Sequence, residues 1–204
     1  MTASGTAGYG VELGRYLDLS RLGAVVVKSL ASFAWQGNPA PRLAPVPGGM
    51  LNAVGLQGPG IGEWIEHGLV DLERVGARVV LSVWGFRVED YIAAAEMVAP
   101  IADRLTAIEV NLSCPNIAHG ADGSSHQMFA HDADLITAII RGMGRAGVPL
   151  WAKLSANTTE IVAMARAASD AGAHAVTLIN TMRGMSFSDD GRRASLGNGA
   201  GGLS

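Results

Sequence analysis

The chain has 204 residues, 49% hydrophobic and 16% charged, with a formal net charge of −3. That is enough apolar material for a sizeable core and too little charge for a disordered chain or a nucleic-acid surface. No apolar run approaches the ~20 residues that span a bilayer, Met1-Thr2-Ala3-Ser4-Gly5 lacks the basic and apolar parts of a signal peptide, and the lone Cys114 can form neither an internal disulfide nor, by itself, a metal site, so a single cytoplasmic domain in a reducing compartment is expected.

Taken in chain order, residues 1–4 read as the tail of a strand, and residues 24–28 as a full strand, Ala-Val-Val-Val-Lys. Residues 31–59 carry five prolines and no helical period, which suits an ordered loop or hairpin over the mouth of the fold. A second strand follows at 79–83, then a helix with Val88, Tyr91, Ile92, Ala95 and Val98 on one stripe. The strand at 107–112 precedes a helix built on Ile136, Ile139, Ile140 and Met143. The strand at 150–154 precedes one built on Ile161, Met164, Ala165 and Ala168, with Asn157 as its N-cap and Glu160 completing a capping box. Gly147 and Gly172 stand where helices should stop. The methionines on these stripes read as core filler. A last strand is expected at 175–180, and a glycine-rich loop at 197–204.

Each strand is mostly apolar without strict alternation, as in parallel strands covered on both faces. Alternating β and α units imply a parallel sheet. No G-x-G-x-x-G follows the first strand, which weakens a Rossmann reading. Polar residues end successive strands at Lys28, Asn111, Lys153 and Asn180, as in a TIM (β/α)8 barrel, whose active site gathers at the C-terminal strand ends. Five strands are clear, so the expectation is one domain over residues 1–204, an incomplete barrel lacking a first strand and about two final β/α units.

The sharpest local feature is Asn111-Leu112-Ser113-Cys114-Pro115-Asn116. A thiolate can take a proton as a general base, and flanking amides can hold a planar polar substrate. The competing account is a buried cysteine at a strand end. Lys28 and Lys153 end apolar strands, where a cation is costly unless paired. One such lysine can stabilise the negative charge of a reduced flavin, unless both simply reach solvent. His67, His119, His126, His131 and His174 lack metal-ligand spacing and read mostly as surface residues.

The stretches Val27-Lys28-Ser29, Gly37-Asn38-Pro39, Pro41-Arg42, Gly49-Met50-Leu51-Asn52-Ala53-Val54-Gly55-Leu56-Gln57, Asn111 to Asn116, Lys153-Leu154-Ser155 and Ile179-Asn180-Thr181 resemble dihydroorotate dehydrogenases, in the family's order and over nearly the whole chain. A cysteine at 114 resembles the cytosolic class 1 enzymes. The helix after Asn157-Thr158-Thr159 and Gly201-Gly202-Leu203-Ser204 resemble the NAD-linked subclass. The resemblance implies oxidation of dihydroorotate to orotate in pyrimidine biosynthesis. Cys114 would take the proton from C5, and FMN the hydride from C6. It implies that Lys28, Asn52, Val54, Gly55, Leu56, Asn111, Asn116, Asn180 and Thr181 bind substrate. Ala3, Ser4, Gly5, Lys28, Ser29, Asn111, Lys153 and Ile179 would bind the flavin, with Thr181 lining both groups. It further implies a homodimer, or a heterotetramer with an electron-transfer subunit carrying FAD and a 2Fe-2S cluster.

The sequence departs from the family at Ser82, where many members have asparagine, and in the middle of residues 117–131. The family's strand before Thr2 and its phosphate-binding final strands have no counterpart here, so the chain alone is expected to fold poorly and to bind FMN weakly. The rival enzyme is the pyrimidine-reducing domain of dihydropyrimidine dehydrogenases, which shares Asn-x-Ser-Cys-Pro. The rival of another class is a cofactor-free segment that only binds a partner.

Overall fold

The computed structural model describes residues 1–113, 129–188 and 190–204. A five-stranded parallel sheet forms its centre: β1 (Val25–Val26), β4 (Val79–Val83), β5 (Ala107–Asn111), β6 (Leu150–Lys153) and β7 (Ala175–Thr177), adjacent in that order. No strand is inserted out of turn, so the described sheet has no topological switch point of the doubly wound kind. The arrangement fits a TIM-barrel-like α/β fold. A smaller antiparallel sheet joins β2 (Leu43–Val46), β3 (Gly49–Asn52), β9 (Gly201–Leu203) and β8 (Met182–Gly184).

The central strands are buried on both faces, and the two faces differ. Val25, Val79, Leu81, Val83, Ile108, Val110, Leu150 and Ala152 belong to one large cluster. The helices α1 (Ile61–Glu66), α2 (Gly68–Arg74), α3 (Val88–Val98), α4 (Ala133–Met143) and α5 (Ile161–Asp170) pack against this outer face. The alternate residues Val26, Val80 and Ala107, with Ala24 and Trp151, form a small inner cluster. Further along that inner face, toward the C-terminal ends, the residues turn polar: Ser82, Glu109, Asn111 and Lys153, all buried. Period-two alternation thus exists but is hidden, because the inner face is itself enclosed.

The expected helices form on the expected stripes. Ile136, Ile139, Ile140 and Met143 of α4 are at most 1% exposed, and Asp132 caps that helix by accepting from the Asp134 and Leu135 amides at 2.9 and 3.0 Å. Met143 and Met164 are core residues, as their stripes imply. Gly147 adopts φ +68 after a short 3-10 turn and Gly172 φ +109 after α5, conformations that side chains resist. Helices α1 and α2 carry their buried faces on Ile61, Trp64, Leu69 and Leu72, a stripe interrupted at Gly68. There an added Cβ would meet the Trp64 indole at 2.6 Å, so glycine lets the two short helices join.

Four expectations need correction. Asn157 does not cap α5; Glu160 holds the N-cap position, and its amide is taken by the Thr158 hydroxyl at 3.1 Å. Asn157 instead ties loops together, donating to Ser155 Oγ (3.0 Å) and Thr181 O (3.2 Å) and accepting from the Arg183 amide (2.8 Å). Residues 1–4 are not a strand: the Thr2 hydroxyl accepts from the Val26 amide (2.8 Å) and so takes the place of a backbone ladder bond. Residues 201–203 are a strand and not loop, paired with both β3 and β8. Their glycines serve close approach, since a Cβ at Gly202 would run into the Thr181 side chain. The strands read at 24–28 and 175–180 are shorter, ending at Val26 and Thr177. Lys28 donates its amide to Gly8 O (2.9 Å), and the sheet resumes only at Leu30, bonded to Ser82 O.

The segment 31–59 is ordered, with the β2–β3 hairpin at its centre. Phe33, Trp35, Trp84 and Phe86 pack edge-on or stacked, with centroids 5.0–6.4 Å apart, and bind its first part to the end of β4. The Trp35 indole donates to Gly55 O at 3.0 Å, and Tyr9 Oη donates to Gln57 O. Burial, with Glu12 nearby, pushes the Tyr9 phenol up to about 12, so it remains a donor across the neutral range. Among the described residues no helix is long and apolar enough to cross a membrane.

Because Ile139 is fully buried and Val162 of α5 is 62% exposed, their truncations separate. In the whole protein, Ile139→Ala is expected to cost ~2–5 kcal/mol in urea unfolding, while Val162→Ala changes stability by less than about 0.5 kcal/mol.

Candidate active site

The polar ends of the central strands open into a cavity of about 950 Å3, including the space continuous with solvent. Ser4, Gly5, Lys28, Ser29, Asn52, Val54, Gly55, Leu56, Asn111, Lys153, Asn180 and Thr181, all singled out from the sequence, line it. Ala3 is exposed and Ile179 is 48% exposed, and both lie outside that lining. Cys114 and Asn116 lie outside the described residues, as do His119 and His126. The remaining histidines sit apart from the cavity: His67 and His174 are exposed and His131 is half-buried. Among the described residues no group of three His, Cys, Asp or Glu side chains is placed to hold a metal ion.

Each wall has its own support. Lys28 and Ser29 stand on the break between β1 and Leu30, which lifts them off the sheet ladder. Asn52 ends β3, and its side-chain amide donates to Gly202 O at 3.3 Å. Val54, Gly55 and Leu56 follow in a turn with φ +72 at Gly55 and +60 at Leu56. Leucine in the left-handed region is held there by the Trp35 bond to Gly55 O and by burial of its own side chain against Ala31 and Trp84. Asn180 donates to Ser113 O, which fixes the backbone that leads into Cys114. Tyr91 Oη reaches from α3 to Asn111 O at 2.7 Å.

Beneath the cavity runs a buried polar layer. Asn111 Nδ2 donates to Ser29 Oγ (3.0 Å), and Ser29 Oγ contacts both Ser4 Oγ (3.2 Å) and Ser82 Oγ (2.9 Å). Ser82 donates to Glu109 Oε1 (3.1 Å), which lies 3.8 Å from Lys153 Nζ. Ser82, flagged only as a departure, is fully buried in this layer and does not line the cavity. Glu109 was read only as part of an apolar run. The signal was a carboxylate in the middle of a strand whose neighbours are all apolar, which cannot be buried without a partner. Thr6, Leu43, Met50 and Ser204 also line the cavity without having been expected.

The donor set suits a planar heterocycle with a carbonyl-rich edge. Two ammonium groups, the buried Lys153 and the half-buried Lys28, converge with several amides and hydroxyls on a site whose remaining lining is largely apolar. The buried ammonium of Lys153 is a positive charge of the kind that a reduced flavin ring needs.

Comparison with known proteins agrees with this geometry. The family model described as dihydroorotate dehydrogenase matches residues 1–204. The catalytic subunit of dihydroorotate dehydrogenase B (NAD(+)) from Alkaliphilus metalliredigens is 41% identical over 206 residues. The subunits of that name from Geobacter sp. strain M21 and Geobacillus kaustophilus are each 42% identical, over 205 and 204 residues. The alignments take in 100% of this chain and 66%, 65% and 64% of those relatives, so the chain spans just under two thirds of their length. With the strand-end lysines and asparagines gathered on one cavity and the match running from the first residue to the last, the chain belongs to the dihydroorotate dehydrogenase family.

Proposed function

We propose that the protein oxidises dihydroorotate to orotate in pyrimidine biosynthesis, in the cytoplasm, as the FMN-binding subunit of an NAD-linked enzyme. The observation that carries this is the convergence of Lys28, Asn52, Asn111, Lys153 and Asn180 on a single cavity. The names of the relatives support it, since each is the catalytic subunit of an NAD(+)-linked dihydroorotate dehydrogenase. In this reading residues 1–204 belong to one (β/α)8 barrel domain. The partner is an electron-transfer subunit carrying FAD and a 2Fe-2S cluster, and the catalytic subunits pair as a homodimer.

FMN, when bound, supplies the acceptor for the hydride that leaves C6 of the substrate. Ser4, Gly5, Ser29, Asn111 and Lys153 hold the ring. Asn52, Asn180 and Asn116 hold the substrate's polar edge through amide donors and acceptors, with Thr181 and the 54–56 backbone beside them. Lys28 stands between the two groups. Cys114, next to the Ser113 backbone that Asn180 fixes, takes the proton from C5 as a general base.

In the FMN-loaded whole protein, Cys114→Ala is expected to slow flavin bleaching by dihydroorotate ~10²–10⁴-fold in stopped flow, and a rate within about twofold of the parent overturns the assignment. Cys114→Ser should recover part of the rate only at higher pH, because a hydroxyl gives up its proton less readily than a thiol.

Lys153→Ala removes a positive charge from the floor of the cavity. Its flavin reduction potential should fall, and Lys153→Arg should restore part of it, as read by spectroelectrochemical titration. An unchanged potential in Lys153→Ala would remove the lysine from the flavin site.

A further inference from the structure

The buried layer under the cavity has a direction, and Glu109 sets it. Glu109 is 2% exposed and Lys153 7%. An ionised carboxylate beside an ammonium can only accept hydrogen bonds. Ser82 has one proton, and it goes to Glu109 at 3.1 Å. The Ser29–Ser82 contact at 2.9 Å must then be a bond that Ser29 donates. With its only proton committed, Ser29 has two lone pairs left, and it accepts from Asn111 Nδ2 (3.0 Å) and from Ser4 Oγ (3.2 Å).

Asn111 offers an independent check. Its Oδ1 accepts from the Ser113 amide at 3.2 Å, which by itself requires Nδ2 to face Ser29. Two separate demands therefore agree on one amide orientation. The result at the surface of the cavity is defined. Ser4 donates inward and turns its lone pairs to the ligand, while Lys153 meets the ligand as a donor. At 3.8 Å the Lys153–Glu109 contact is an ion pair too long for a direct hydrogen bond, so the carboxylate balances the ammonium without consuming its protons.

We infer that Glu109, which does not itself line the cavity, is a positioning residue for the flavin site: it holds Lys153 as a charged donor and, through Ser82 and Ser29, fixes Ser4 as an acceptor and Asn111 in one orientation. This rests on the flavin reading for its ligand, but the arrangement of Lys153 can be measured without any ligand.

The test uses the whole protein with Glu109→Gln and Ser82→Ala. FMN dissociation constants are taken from fluorescence quenching, and the labelling rate of Lys153 by acetic anhydride in the FMN-free protein is followed by mass spectrometry. A buried ammonium deprived of its counter-charge sheds its proton more readily, and the neutral amine is the reactive form. Glu109→Gln should therefore weaken FMN binding by about tenfold and speed Lys153 labelling several-fold. Ser82→Ala cuts the serine relay but leaves the ion pair, so it should weaken FMN binding by about fivefold and leave Lys153 labelling unchanged. A merely structural role would lower thermal stability in both variants without splitting the two readouts in this way.

Glu109→Gln values within about twofold of the parent in both readouts overturn the inference. If Glu109→Gln does not fold, Ser82→Ala decides, and unchanged FMN binding there overturns the relay. If the parent protein binds no FMN, the functional reading fails, and Lys153 labelling in Glu109→Gln alone upholds or overturns Glu109 as the residue that holds the lysine.

Discussion

A charged pair enclosed on the inner face of a parallel sheet is the constraint around which this molecule is arranged. Glu109 is enclosed and Lys153 reaches solvent only through the cavity, and neither tolerates burial without the other. Their strands stand side by side, with Asn111 level with Lys153 and Ser82 level with Glu109. The pairing register of the sheet thus determines which polar groups can meet. A slip of one residue would turn every one of them to the helix-covered face. The aliphatic outer face, with five helices packed on it, makes such a slip prohibitive.

The kind of support changes outward from that layer. The outer face of the sheet and its helices form one large apolar cluster, whereas the cavity walls come from segments held by a few directed bonds. The aromatic group Phe33, Trp35, Trp84 and Phe86 clamps the turn at 54–56, and Asn157 clamps 181–183. The scaffold places the lysines and asparagines, while the loops place the surfaces that meet them, a division usual in barrel-like folds.

Much of this was legible in the sequence, and the parts that were not share a cause. The five strands announce themselves as short apolar runs and the helices on Tyr91, Ile139 and Met164 by period, and the lysines and asparagines by standing at the ends of apolar runs. Those signals are local. Helices α1 and α2 were not singled out because Gly68 divides one stripe into two pieces shorter than a clear period. Asn157 was misread because its three residues of spacing to Glu160 imitate a capping box, whereas two of its partners, Thr181 and Arg183, lie 24 and 26 residues away. Gly201 and Gly202 read as loop because glycine has the same appearance whether it serves freedom or proximity. Glu109 gave the plainest signal of all, a carboxylate within an apolar strand. Its meaning depends on Lys153 and Ser82, which only the fold brings to it.

The strand at 201–203 has a consequence for how the site comes into being. The bond from Asn52 to Gly202 spans 150 positions of chain, so the wall that carries Asn52 is closed by one of the longest-range contacts in the molecule. Closing a loop of that size costs entropy before any contact repays it, and contacts of high sequence separation form late. The floor of the cavity, made by strands that follow one another, can take shape while that wall is still open. A nascent chain therefore holds a charged depression with one side missing, and its ligand meets a finished enclosure only when distant parts of the sequence have found each other.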